Sequence, residues 1–130
     1  MLNFSLLLLK VNLKILEIKG RNLKIENFYD GIAKFHFDEL CDRNLGAEDY
    51  VCIANNCNFI LIENLPNFNE NNSNQQNRFI TLIDIIYEKR IPLMITSQLN
   101  LDLIESSKSL QEPFKRTISR LYELTSINYN

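Results

Sequence analysis

The stretch RFITLIDIIYEKRIPLMIT, residues 78–96, passes from a helical pattern into an apolar strand pattern with almost no turn between them. Phe79, Leu82, Ile83 and Ile86 fall at i, i+3, i+4 and i+7, and Ile80 and Tyr87 widen the stripe, while Arg78, Thr81, Asp84 and Glu88 occupy the other side. That spacing predicts an amphipathic helix covering a sheet. Lys89 and Arg90 suit its carboxyl end electrostatically, Pro92 stops any continuation, and PLMIT reads as a buried strand.

Upstream, NFILIENLP at 58–66 is a short, almost continuous apolar run ending in Pro66, the pattern of a strand buried on both faces. Between the two runs, NFNENNSNQQN at 67–77 is polar and low in complexity and reads as a mobile loop. A strand, a covering helix and a second strand over 58–97 make a βαβ crossover, which sets the two strands parallel in one sheet.

Residues 12–37 carry LKILEIK, NLKIE and IAKFHF, separated by GR and NFYDG, which predicts a small antiparallel meander. Ile32, Lys34 and His36 alternate with Ala33, Phe35 and Phe37, so His36 falls on the polar face as a solvated or edge histidine rather than a catalytic base. Residues 38–57 read as two short helices around RNLG. The carboxylates Asp38, Glu39, Asp42, Glu48 and Asp49 cluster where first helical turns favour negative charge, and that role is the simpler one beside acid and base chemistry.

The last segment begins at Pro113, a residue suited to a first helical turn, and runs FKRTISRLYELTSINY. Phe114, Ile118, Leu121 and Leu124 form its apolar face. Arg116 and Arg120 sit one turn apart on another face. Either they pair locally, Glu112 with Arg116 and Arg120 with Glu123, or their guanidinium forks reach a phosphate in a partner or ligand. The expected fold is α/β: a partial P-loop-type parallel sheet in βαβ connection, preceded by a small antiparallel β-meander and ending in a carboxyl-terminal helix.

A chain of 130 residues, 45% hydrophobic, supports one packed core and is too short for two ordinary domains. Its formal charge of −2 and pI near 5.4 give no chain-wide attraction to phosphate backbones or anionic lipid, so no nucleic-acid partner is expected. Cys41, Cys52 and Cys57 are an odd number without a convincing secretory signal, which points to reduced core thiols in the cytoplasm. With His36 they would number four metal donors, but the spacing lacks the C-x-x-C knuckle, and no metal site is expected. The apolar run in MLNFSLLLLK is shorter than the roughly 20 residues that span a bilayer. No basic region precedes that run and no small-residue cleavage site follows it, so neither an integral membrane segment nor a leader is expected.

FHFDELCDRNLGAEDYVCIA, FILIENLP, NRFITLIDIIYEKRIPLMIT and FKRTISRLYELTSINY, in this order, resemble the carboxyl-terminal third of the ZapE family, also called ATPase family gene one-like, of AAA+-type P-loop ATPases. The resemblance covers 12–130, and residues 1–11 form an unaligned segment. Asn44 stands where the family usually has proline, and Leu124 where it usually has methionine. The resemblance implies ATP and magnesium as ligands of the parent family, and work in cell division or protein quality control.

The family's chemistry depends on a G-x-x-x-x-G-K-[ST] loop, whose backbone N–H groups cradle phosphates while its lysine and hydroxyl reach the outer phosphates and magnesium. This chain has only Gly20, Gly31 and Gly46, with no Gly-Lys-Ser/Thr. FILIENLP is similar to a Walker B strand, but Asn64 follows Glu63 where the second acid belongs, and Thr96 and Ser97 resemble the family's sensor position. The resemblance therefore implies a truncated ATPase family member, inactive alone, with no catalytic residue, nucleotide site or cofactor of its own. Its expected partner is a separately encoded nucleotide-binding half or another protein, with Arg116 and Arg120 as candidate arginine fingers in trans.

Overall fold

The computed structural model describes residues 12–18 and 20–126. The readings of MLNFSLLLLK and of the final INYN lie outside them. The meander is β1 (Asn12–Ile18), β2 (Arg21–Tyr29) and β3 (Ile32–His36), followed by α1 (Phe37–Cys41) and α2 (Ala47–Asn55). Then come β4 (Phe59–Leu65), α3 (Ser73–Lys89), β5 (Leu93–Ser97) and α4 (Gln111–Thr125). The five strands form one sheet in the order β1-β2-β3-β4-β5, antiparallel from β1 to β3 and parallel from β3 to β5.

Because strand order follows chain order, right-handed crossovers put α1 with α2, and then α3, on the same side of the sheet. Accordingly α3 packs against α1, α2 and α4 in a single helical layer. Ala33 and Phe35 of β3, Ile60 and Ile62 of β4, and Leu93 of β5 are buried beneath that layer. In β2 a bulge opposite Asn12 and Lys14 lets Ile25 and Phe28 both pack on the core, where strict alternation would send one of them outward. Four rings tie the layer together: Phe37 lies 5.8 Å from both Phe68 and Phe79, and Phe114 meets Phe68 edge-on at 5.4 Å. Such pairs contribute about 0.5–1.5 kcal/mol each beyond area burial.

Three expectations change. PLMIT is not a buried strand: in β5 only Leu93 is buried, while Met94 and Thr96 are exposed, because β5 is the last strand of the sheet and no described helix covers that face. The run 58–66 is covered on one face only, since Phe59, Leu61 and Glu63 alternate, half-buried, with fully buried Ile60 and Ile62. An apolar residue on either side of a strand reads as two-sided burial whether or not a second layer exists. The stretch 67–77 is also not a loop throughout. Asn72 donates to the Asn67 carbonyl at 2.9 Å and accepts from Asn69 N–H at 2.8 Å, shaping a turn from which α3 starts at Ser73.

Candidate functional site

The parallel strands end together, and there the structure gathers the chemistry-bearing residues singled out in β3, β4 and β5. His36 closes β3 and caps α1: its Nδ1 accepts the Asp38 N–H at 3.1 Å, while Glu39 Oε1 accepts the His36 N–H at 2.9 Å. The Asn64 amide lies 2.9 Å from His36 Nε2. The contact joins the Asn64 amide nitrogen to a ring nitrogen, and the direction of its hydrogen bond follows the imidazole tautomer.

Asn64 holds a left-handed backbone, φ 62°, and donates its N–H to Thr96 Oγ1 at 3.0 Å. Ser97 Oγ donates to the Leu65 carbonyl, also at 3.0 Å. Glu63 turns to the open face of the sheet and pairs with Lys34 at 3.0 Å, each side chain about a third exposed. The residues that echo a Walker B strand and a sensor therefore do meet through Asn64 and Thr96, while Glu63 pairs with Lys34 and Ser97 with the Leu65 carbonyl. A cavity of about 260 Å³ lies beside them, lined by Asn64, Pro66, Asn67, Ser97 and Gln98, and among the described residues no charged side chain lines it.

The helical carboxylates Glu39 and Asp49 act as caps, Asp49 Oδ2 accepting the Gly46 N–H at 2.8 Å. The three cysteines form no disulfide: Cys41 and Cys57 are buried, and desolvation pushes the Cys57 thiol up to about 11 and raises Cys41 further. Among the described residues no group of three or more His, Cys, Asp and Glu could hold a metal ion.

Arg116 and Arg120 are both drawn to one residue that spacing along α4 could not reveal. Arg116 Nη2 lies 3.2 Å from Asp84 Oδ2 of α3, and Arg120 Nη1 donates to Asp84 Oδ1. Arg120 also stacks 4.6 Å over the Tyr87 ring. The local pair expected for Arg116 is replaced: Glu112 binds Lys115 at 2.9 Å, because Asp84 on the packed neighbouring helix offers both arginines a half-shielded carboxylate. Arg116 keeps 55% of its side chain exposed against 26% for Arg120. Among the described residues no helix is long and apolar enough to cross a membrane.

The family model that matches this chain, over residues 8–130, is described as AFG1-like ATPase. Lactation elevated protein 1 homolog B of Danio rerio is 33% identical over 89 residues, covering 68% of this chain and 18% of that protein. Cell division protein ZapE of Escherichia coli K12 is 26% identical over 118 residues, covering 91% of this chain and 32% of ZapE. The chain thus spans between 18% and 32% of the length of these relatives. No solved structure shows a significant match.

Proposed function

This chain belongs to the AFG1-like ATPase family, and from that premise we propose that it works as a truncated, non-catalytic carboxyl-terminal part of such an ATPase. ATP and magnesium would then be held by a nucleotide-binding half outside these 130 residues.

What supports this reading is where the glycines are. A phosphate loop needs its glycines and a Gly-Lys-Ser/Thr between a strand and a helix. Here Gly20 and Gly31 turn antiparallel hairpins, and Gly46 precedes the first turn of α2. Among the described residues, the monotonic strand order with one helical layer has no reversal point of the kind at which open α/β sheets bind nucleotides. The process printed in the name of the E. coli relative, cell division, comes to this chain as part of the same proposal, as does a cytoplasmic location.

Calorimetric titration of the purified chain with Mg-ATP is expected to show no binding in the low micromolar range. ATP hydrolysis that follows the protein through successive purification steps would overturn the reading. Within it, Arg116 is the better candidate for a finger in trans. It is the more exposed of the two, and Arg120 would still hold Asp84 if Arg116 turned away. If Arg116→Ala leaves the hydrolysis rate of a reconstituted pair unchanged, that role is dropped.

A second reading, a protein-interaction module, is favoured by the uncovered side of the parallel strands. Parallel sheets are ordinarily covered on both faces, yet here Ile32, Phe59, Leu61 and Met94 lie on a face that no described helix covers. Soluble, aggregate-free behaviour that is indifferent to Leu61→Lys and Phe59→Lys would speak against a partner on that face.

A further inference from the structure

We infer that β5 is a dimer edge, at which two copies of this chain pair their Leu93–Ser97 strands antiparallel about a two-fold axis through Ile95. The inference stands apart from any nucleotide chemistry.

The polarity of the edge follows from one hydrogen bond. Ile60 N–H donates to the Pro92 carbonyl at 3.1 Å. Successive residues of an extended strand turn their N–H and C=O groups to opposite sides, so Pro92, Met94 and Thr96 face β4, and Leu93, Ile95 and Ser97 face away from it. Among the described residues no strand pairs with that outward row, because β5 is last in the sheet order. Three residues with outward groups, centred on Ile95, make a self-complementary set. Ile95 exchanges both bonds with its twin, and Leu93 exchanges both with Ser97 of the other copy.

Composition favours a second copy over a charged partner. LMITS has no charged residue, so pairing it with itself sets no like charges against each other. It has no proline, lysine or outward charge of the kind that ordinarily guards an edge. The opposite edge, β1, carries Lys14 and Glu17 and pairs with β2 through a bulge. Beside β5 runs a trough of about 360 Å³ bordered by Met94, Ile95, Leu99 and Leu101. Met94 and Leu99 are exposed large apolar side chains, as is Tyr122 on α4, the helix that packs against β5. In the antiparallel pair Met94 lies opposite Thr96 of the other copy, so the two open sheet faces join into one.

Sedimentation of the full chain is expected to give twice the 15.3 kDa chain mass at micromolar concentration. Met94→Lys and Met94→Glu, at an exposed position, are each expected to lose the dimer, and mixing the two variants to restore it. Leu61→Lys, in the middle of the open face, is expected to keep it. In the wild type, amide hydrogens of Leu93, Ile95 and Ser97 should exchange slowly in the dimer and quickly after dilution, a readout that does not depend on any variant folding. A monomeric wild type overturns the inference, whatever else covers the edge. So does loss of the dimer in Leu61→Lys, which would assign the contact to the open face, or a dimer whose three amides exchange freely.

Discussion

The ring of His36 and the side-chain amide of Asn64 lie 2.9 Å apart, joining the end of β3 to the end of β4, while the same ring caps α1 through the Asp38 N–H. One imidazole thus ties the helix start to the neighbouring strand. His36→Ala removes both links and is expected to cost about 1 kcal/mol, the usual cost of a lost side-chain N-cap. His36→Asn keeps an acceptor for the cap and should recover most of it. Urea denaturation midpoints of the three proteins check the order wild type, Asn, Ala.

Asp84 is shared by two arginines that are not equivalent. Arg120 is three-quarters shielded and rests on Tyr87, whereas Arg116 is over half exposed. Exposed pairs are worth about 0.2–1 kcal/mol and a cation over an aromatic ring about another 0.5–1 kcal/mol, so Arg120→Ala should destabilise more than Arg116→Ala. A double-mutant cycle with Asp84→Ala is expected to give the larger coupling for Arg120. Equal couplings would contradict this geometry.

The two hairpin glycines separate backbone strain from steric contact. Both have positive φ, 81° at Gly20 and 85° at Gly31. A Cβ at Gly20 meets nothing within 4 Å, but at Gly31 it falls 2.4 Å from Asn58 Nδ2. The Gly31 carbonyl accepts the Asn58 N–H at 2.7 Å, which holds the Asn58 backbone, so relief must come from rotation of the exposed Asn58 side chain. Gly20→Ala should cost about 1–2 kcal/mol from the left-handed backbone alone. Gly31→Ala should cost this plus a smaller increment for turning the Asn58 side chain, and a Gly31→Ala, Asn58→Ala double variant should return toward the Gly20→Ala value. Thermal melts distinguish these outcomes.

Buried thiols make stability fall in alkali. Desolvation raises Cys57 from 9.0 to about 11 and shifts Cys41 further in the same direction. A thiol whose folded value lies above its unfolded value holds its proton more tightly in the native state. Its contribution is therefore complete below about pH 9 and is lost as pH rises toward 11, at about 1.4 kcal/mol per pH unit for each thiol ionised only in the unfolded chain. Cys57→Ser should flatten this decline, and denaturant titrations across that window measure it.

Much of the architecture was legible in the residues because it rests on local direction. The 3.6-residue stripe of Phe79, Leu82, Ile83 and Ile86 and the alternation through Ala33 and Phe35 mark which side of each element is apolar, and those residues are buried. The beginning of α3 was not legible. Gln76 looks like a solvated amide in a polar run, yet it is fully buried, donating to Ser106 Oγ at 2.6 Å and accepting the Ser107 N–H at 3.1 Å. Partners thirty residues away leave no trace in local periodicity.

The candidate site divides in the same way. That Asn64 replaces a second acid after Glu63, and that no Gly-Lys-Ser/Thr exists, is a matter of residue identity and needed no coordinates. Pattern alone also determined the meander, the parallel crossover and the closing helix, since side-chain direction repeats with the backbone of each element. Only the tertiary structure decided that the described helices share one face, that Asp84 gathers Arg116 and Arg120, and that β5 ends the described sheet with an uncharged edge. Those outcomes depend on how separate elements pack and on which partner lies within hydrogen-bond reach, and an element's own periodicity records which side is apolar but not what comes to lie against it.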